Sequence, residues 1–442
     1  MFVWNYFTND ARVTREAVSL IKAGYQVWVI AVHDHNDPDM PKKEVINGIN
    51  VIRISRLGPL YNINRWWRSI KEKWLLKLRF KKTYFTESPS LAKISTCLSF
   101  AFFHLYMSLS YIVKFFKKLL IYIVDKLTFG VLRLFLSFVI TTIKFAKQGL
   151  KTKANIYHSH DLNTLSAGYI CSRINKAKLI YDSHEICTDK AGLKAKPFWR
   201  LLERTLIGKT DKVIFTTYTR AKFTADKYKR ELPEVIGNFT DIPEKIKEVD
   251  LGKILNFDNH FKIALYQGGI QIGRGLEQLI DAVPLLRSDV VVVLLGDGKL
   301  RPILEDRVNT LNLSERVKFS GKIPLDDLLG YTANADVGLQ ILQNMCFNHY
   351  STDSNKLFEY LSVGVPVVAS DFPEIRKVVQ KFNVGILIDP HKPENIAEAI
   401  NRVLSDNEIY SAMKRNTLRA AKVLNWENES KKLLEIYRSV CE

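Results

Sequence analysis

Strand-length apolar runs alternate with helical stretches twice along this chain, and that rhythm limits the fold more than any motif does. In the first half the runs are Gln26–Val32, Asn50–Ile54, Asn155–His158, Lys178–Tyr181 and Lys212–Thr216. Helical spacing covers Arg12–Ala23, Asn163–Ile174, Phe198–Ile207 and Arg220–Tyr228. In the second half the runs are Lys262–Gln267, Val290–Leu295, Val317–Ser320, Val337–Ile341, Val365–Ala369 and Gly385–Ile388. Short apolar runs separated by helices predict strands covered on both faces, which is an α/β protein with parallel, doubly wound sheets. The chain has 442 residues, enough for two such domains. The expected plan is an N-terminal domain from 1–58 and 152–236, a linker at 237–260, and a C-terminal domain at 261–425. A last helix at 426–442 is expected to return to the first domain. Sheets of this kind bind ligands beyond the carboxyl ends of their strands, so the expected site is the cleft between the domains.

The rhythm breaks at 59–151, and this segment reads as an insertion. The whole chain carries a net charge of +19. Residues 60–150 hold sixteen Lys and Arg against Glu72, Glu87 and Asp125, so most of the excess is local. Residues 65–82 mix Trp66, Trp67, Trp74 and Phe80 with eight cations, the composition of a helix lying in a bilayer interface. Residues 94–113 contain no Lys, Arg, Asp or Glu and are long enough to span, yet carry several serines. One crossing would separate the two parts of one sheet, so crossings are expected to number zero or an even count. A monotopic platform, a two-span hairpin and a helical subdomain packed on protein all remain open. The first places the chain on the cytoplasmic face of the cell membrane, held by anionic lipid.

Residues 354–375, SNKLFEYLSVGVPVVASDFPEI, carry the strongest chemical signal. A polar turn, Ser354-Asn355-Lys356, opens a short helix bearing Glu359. A helix start concentrates free N–H groups and suits a phosphate, and a carboxylate one turn further can accept from a ribose diol. The same pattern also fits an ordinary helix–glycine–strand unit. Upstream, YQGGIQIGRG follows a strand and opens a helix. Gly268 and Gly269 allow close backbone approach, and Arg274 can fork onto phosphate oxygens.

Four stretches taken in order are similar to retaining GT-B glycosyltransferases of the family-4 type, which include bacterial polysaccharide and lipid-linked sugar transferases. They are NDARVTREAVSLIKAGYQVWVIA, IYHSHDLNTLSAGYICSRINKAKLIYDSHE, YQGGIQIGRGLEQLIDA and SNKLFEYLSVGVPVVASDFPE. The resemblance covers about 3–56 and 153–440 and leaves the insertion unexplained. It implies two Rossmann-like domains facing a cleft, the first binding acceptor and the second a nucleotide sugar linked to UDP or GDP. It implies a basic role on the diphosphate for Arg274, ribose binding for Glu359, and a place near the transferring centre for His160. Asn9 and Asp10 fall on the first loop, on the acceptor side, with Asp161 beside His160. Ser354 and Asn355 belong to the donor site, and Lys356 is expected to supply a phosphate contact. The chain departs from the family at Gly269, where many members have a second Arg, and at Ser351, where many have a first glutamate. The implied reaction moves a hexose to a lipid-linked or polysaccharide acceptor with retention. A nucleotide-sugar 2-epimerase on the same fold and a non-catalytic membrane scaffold are the alternatives.

Cys97, Cys171, Cys187, Cys346 and Cys441 are odd in number and scattered, which fits a reducing compartment. No signal-peptide pattern follows Met1. His, Cys, Asp and Glu show no metal-ligand spacing along the chain, so no metal or other cofactor is expected. Asp37-Pro38-Asp39 reads as a turn. The aliphatic runs within the basic segment argue against nucleic acid as its partner.

Overall fold

The computed structural model describes residues 1–8, 10–55, 130–190, 193, 195–258 and 260–442. The expected interfacial helix at 65–82, the uncharged run at 94–113 and Asn9 lie outside these residues.

The N-terminal domain holds β1 (Trp28–His33), β2 (Lys43–Ile46), β3 (Ile49–Ser55), β4 (Ile156–His160), β5 (Lys178–Ser183), β6 (Lys212–Phe215) and β7 (Glu234–Val235). They form two groups, β1-β3-β2 and β4-β5-β6-β7. Phe2 joins the groups by bridging Ile30 and Ser159 in parallel. Its N–H donates to the His158 carbonyl at 2.8 Å, and the His160 N–H donates back to the Phe2 carbonyl at 3.1 Å. Among the described strands of this domain only β2 is antiparallel, and its residues are exposed or half-buried at the sheet edge.

Helix Gly130–Thr152 leads into β4 and packs on β1, β3 and helix Leu162–Asn175. Phe138, Phe145 and Ala146 bury its inner face. Gly149 lets the helix approach the sheet: a Cβ there would lie 2.5 Å from Phe2 Cζ and 2.8 Å from Cys171 Sγ. The last quarter or so of the segment assigned to the insertion, 130–151, is therefore part of the N-terminal domain's packing. Its apolar composition serves the domain core as well as any surface.

The C-terminal domain holds β8 (Lys262–Gln267), β9 (Val290–Leu295), β10 (Val317–Gly321), β11 (Val337–Gln340), β12 (Val367–Ser370) and β13 (Gly385–Ile388). The sheet order is β10-β9-β8-β11-β12-β13, and all neighbours are parallel. Every residue of β9 is buried, as a central strand covered by helices on both faces requires. Each such aliphatic side chain contributes about 1.5–3 kcal/mol. Within the expected linker, helix Leu251–Leu255 buries Leu251 in this domain's core.

Helix Trp426–Cys441 lies on the N-terminal domain. Trp426 donates its indole N–H to Ser19 Oγ at 2.9 Å, and Leu433, Ile436 and Val440 join the core beneath helix Ala11–Lys22. No helix among the described residues is long and apolar enough to cross a membrane.

Candidate active site

The carboxyl ends of the two sheets face a cleft of about 610 Å³. Its N-terminal wall includes Tyr6, Asp10, Arg15, His184 and Arg220, and its C-terminal wall includes Leu325, Leu328, Ser354, Asn355 and Glu359. A second cavity of about 520 Å³ shares Leu328, Ser354, Asn355 and Glu359 and continues to Gly268, Gly269, Asp297, Lys322 and Lys356. The two cavities thus form one crevice with Glu359 at the junction.

Helix Asn355–Ser362 points its N-terminus into this crevice, and the Ser354 side chain makes no capping hydrogen bond. An uncapped helix mouth leaves N–H groups for an incoming acceptor. Lys356, in the first turn, lies with Nζ 5.0 Å from the centre of the Tyr266 ring. Gly268 makes room for it, since a Cβ at φ +121° would fall 2.8 Å from Lys356 Cε. Burial, then the nearby Arg274 guanidinium, lower the Lys356 ammonium to about 7, while Glu359 opposes that shift. Lys356 therefore sits within electrostatic reach of both groups. Glu359 accepts from Gln267 Nε2, whose carbonyl accepts from Thr332 Oγ at 2.8 Å. Burial raises the Glu359 carboxyl above its usual range.

The crevice brings together the sequence-predicted Lys356, Glu359, Gly268, Gly269, Ser354 and Asn355, whereas Arg274 does not line it and reaches the site through its charge at Lys356. Lys322, at the end of β10, adds a cation that no motif indicated. Asn355 bonds Asn238 of the linker, and Asn238 Oδ1 accepts from Arg15 at 3.2 Å, so the helix mouth is tied across the domain boundary. Ser351 is fully buried: its Oγ accepts from Arg220 Nε at 3.2 Å. Arg220 also donates to the carbonyls of His184 at 2.7 Å and Asn348 at 3.0 Å, stitching the two domains.

On the N-terminal wall the arrangement differs from expectation. His160 is 2% exposed and does not line the crevice; His184 does. His160 ends β4 and turns into a buried cluster with Arg12, Glu16, His158 and Asp182. Its Nδ1 is 3.1 Å from His184 Nε2 and 3.6 Å from Asp182. Asp161 is also absent from the crevice wall. It holds an unusual backbone, φ 62°, and accepts from the His184 N–H at 3.1 Å, so it positions the loop carrying His184. Asp10 lines the crevice and caps helix Ala11–Lys22 through the Val13 N–H at 3.1 Å.

Asp182 organises this cluster. Arg12 reaches it at 3.0 Å and reaches Glu16 at 3.0 Å. Burial opposes ionisation of Asp182, yet Arg12 and His184 hold its carboxyl well below the ordinary range. Burial likewise opposes the His184 charge, but Asp182 outweighs it and lifts the imidazole to about 9. His184 is then an imidazolium at neutral pH. Burial and the Asp182 charge raise the Glu16 carboxyl. Glu16, His158, His160 and Asp182 bring potential ligand atoms within 4.8 Å of one another. They come from three separate segments, which is why no spacing in the sequence marks them. Arg12 already supplies positive charge to both carboxylates.

Residues 250–420 match the family model described as glycosyl transferases group 1. The D-inositol 3-phosphate glycosyltransferase of Thermobispora bispora is 23% identical over 346 residues, 71% of this chain and 76% of its own length. A Methanocaldococcus jannaschii protein named an uncharacterized glycosyltransferase is 26% identical over 199 residues, 44% of this chain and 50% of its own. The chain thus spans between half and about three quarters of these relatives. Sucrose-phosphate synthase from Thermosynechococcus elongatus has the same fold, with a TM-score of 0.67 at 18% identity over 97% of this chain and 92% of that one. Anabaena HepE in complex with UDP gives 0.56 at 19% identity, over 67% and 82%. With two parallel-sheet domains facing one crevice, the chain has the GT-B fold, and its residues 250–420 are similar to the group 1 glycosyl transferases.

Proposed function

We propose that this protein is a membrane-associated glycosyltransferase. It moves a hexose from a nucleoside diphosphate to a lipid-linked or polysaccharide acceptor and retains anomeric configuration. The observation that carries the reading is the crevice wall where Lys356, the open mouth of helix Asn355–Ser362 and Glu359 converge, with the Arg274 charge felt at Lys356. Two cations and free N–H groups suit a diphosphate, and the carboxylate suits a ribose diol. That Anabaena HepE binds UDP on the same fold agrees with this donor class.

In the proposed reaction the bond from the anomeric carbon to the β-phosphate oxygen breaks. The acceptor hydroxyl bonds that carbon on the same face, and its proton passes to the leaving phosphate. Charge accumulates on the diphosphate, where Arg274 and Lys356 stabilise it; preorganised groups of this kind are often the largest catalytic contribution. The imidazolium of His184, held charged by Asp182, is unsuited to accept a proton. It adds positive charge from the opposite wall and takes the place expected for His160. Asp10 and Arg15 face the acceptor side. Bonds such as Arg220 to Ser351 keep the domains close and limit water in the crevice.

The basic segment at 60–150 is the proposed membrane contact, on the cytoplasmic face. Incubating the purified chain with labelled UDP- and GDP-sugars and a membrane lipid extract tests the reading. Label on lipid is the expected result. An altered free nucleotide sugar would instead assign an epimerase, and no reaction with any donor would leave a scaffold.

A further inference from the structure

A third cavity, of about 490 Å³, opens on the N-terminal domain away from the donor wall. It sits at the carboxyl ends of β1 and β3, whose last residues, His33 and Ser55, both line it. That is the edge where sheets of this type take ligands. Lys42, Arg53, Lys144 and Lys147 line it against one acid, Asp37. Arg53 is occupied: it pairs with Glu44 and donates to the Pro41 carbonyl at 3.0 Å. Lys144 donates to the Ser55 carbonyl at 2.8 Å, which fixes its ammonium at the strand end. Lys147 is one turn further along the same helix and exposed. Among the described residues, the pocket therefore carries more cations than acids, with Lys144 held at the strand end and Lys147 exposed.

Two further observations say what it could take. Arg53 Nε donates to the Tyr6 carbonyl at 2.8 Å, and Tyr6 lines the crevice, so one short segment separates this pocket from the candidate active site. Next to the lysines, helix Gly130–Thr152 exposes Leu136 and Ile143, 39% and 57% accessible. Leu136, Ile143 and Lys147 are seven and four residues apart, so they share one helix face. A stripe that runs from aliphatic residues to an ammonium matches an amphiphile with an anionic end.

We propose that this pocket holds the phosphate end of the acceptor lipid, with its hydrocarbon along Leu136 and Ile143. The inference rests on the transferase reading and names the acceptor's chemical class and where it docks. Phosphate oxygens accept from Lys42, Lys144 and Lys147, and the acceptor hydroxyl is directed past Tyr6 toward the crevice. The same cationic chemistry fits a free phosphate or a bilayer headgroup, and the experiment separates these.

Full-length protein, saturated with UDP to fill the donor wall, is titrated calorimetrically with farnesyl diphosphate. The expected result is saturable binding that weakens by about tenfold or more in Lys144→Ala/Lys147→Ala, from the loss of two charge-assisted bonds. UDP affinity stays within about twofold, since those lysines lie outside the donor wall. Leu136→Ser/Ile143→Ser weakens farnesyl diphosphate and leaves inorganic pyrophosphate unaffected. Equal affinity for farnesyl diphosphate and pyrophosphate would overturn the lipid assignment. Lysine dependence seen only with phosphatidylglycerol vesicles would reassign the pocket to the bilayer surface and overturn it too. Unchanged farnesyl diphosphate binding in the lysine variant would remove the site. The exposed single variant Lys147→Glu gives the same readout if the double variant does not fold. Loss of UDP binding by the unaltered chain would instead strike the transferase reading, which is a separate result.

Discussion

On the N-terminal wall of the cleft, Arg12 and Asp182 are locked together at 3.0 Å, with His184 drawn into the same network. On the C-terminal side, the Arg274 charge helps to depress the protonation of Lys356, which lines the crevice. The first wall has its counter-charges built in. The second sets Lys356 and Arg274 against one carboxylate, Glu359, an excess of positive charge that an arriving anion would balance. The difference separates charge that maintains the fold from charge that awaits a ligand.

The largest effect is expected from breaking the closed network. Asp182→Asn removes the anion that balances buried Arg12 and His184, and unpaired buried charge costs about 3–5 kcal/mol. Urea unfolding should register that loss; a change under about 1 kcal/mol would show the network to be incidental. Arg274→Ala should behave in the opposite manner. Turnover falls by about 10²–10³-fold, as when one preorganised donor is removed, while the urea midpoint holds or rises. Equal losses of stability on both walls would erase the contrast drawn here.

Glu359→Gln comes next. Its partner Gln267 can still be satisfied by turning, so the fold is kept. Donor affinity should drop by about 1.5–3 kcal/mol, the range for hydrogen bonds to a charged group, read by calorimetry with UDP. Weakening confined to the sugar rather than UDP would move Glu359 off the ribose.

The smallest effect concerns pH. Lys356 in the empty protein loses its proton near pH 7, and a bound diphosphate favours the ammonium. The bound state therefore has the higher value, and UDP binding takes up a proton above about pH 7. Affinity is greatest below that point and falls by up to about tenfold per pH unit above it. Calorimetry at pH 8 in buffers of different ionisation enthalpy should show proton uptake; none would mean Lys356 does not meet the phosphate.

The C-terminal domain was readable because its central strands are buried on both faces, so Val290–Leu295 appears as an unbroken apolar run. The edge strand Lys43–Ile46 was not, because its KEVI sequence is largely exposed and pairs antiparallel. Helix Gly130–Thr152 was hidden by its surroundings: a basic, apolar stretch gives no sign of which face packs on a sheet. The donor wall was legible because Ser354, Asn355, Lys356 and Glu359 lie within one helical turn and a half. The opposite wall was not, since Arg12 meets Asp182 across 170 positions. HSHD and DSHE both place a histidine at a strand end, and only tertiary packing decides that His184 faces the crevice while His160 turns toward Glu16.

The most direct measurement is a crystal structure of the full chain with UDP bound. The account predicts a diphosphate within hydrogen-bonding distance of Arg274, Lys356 and the N–H groups opening helix Asn355–Ser362, with the ribose on Glu359. UDP bound elsewhere, or in the crevice with its diphosphate turned from Arg274 and Lys356, would contradict it.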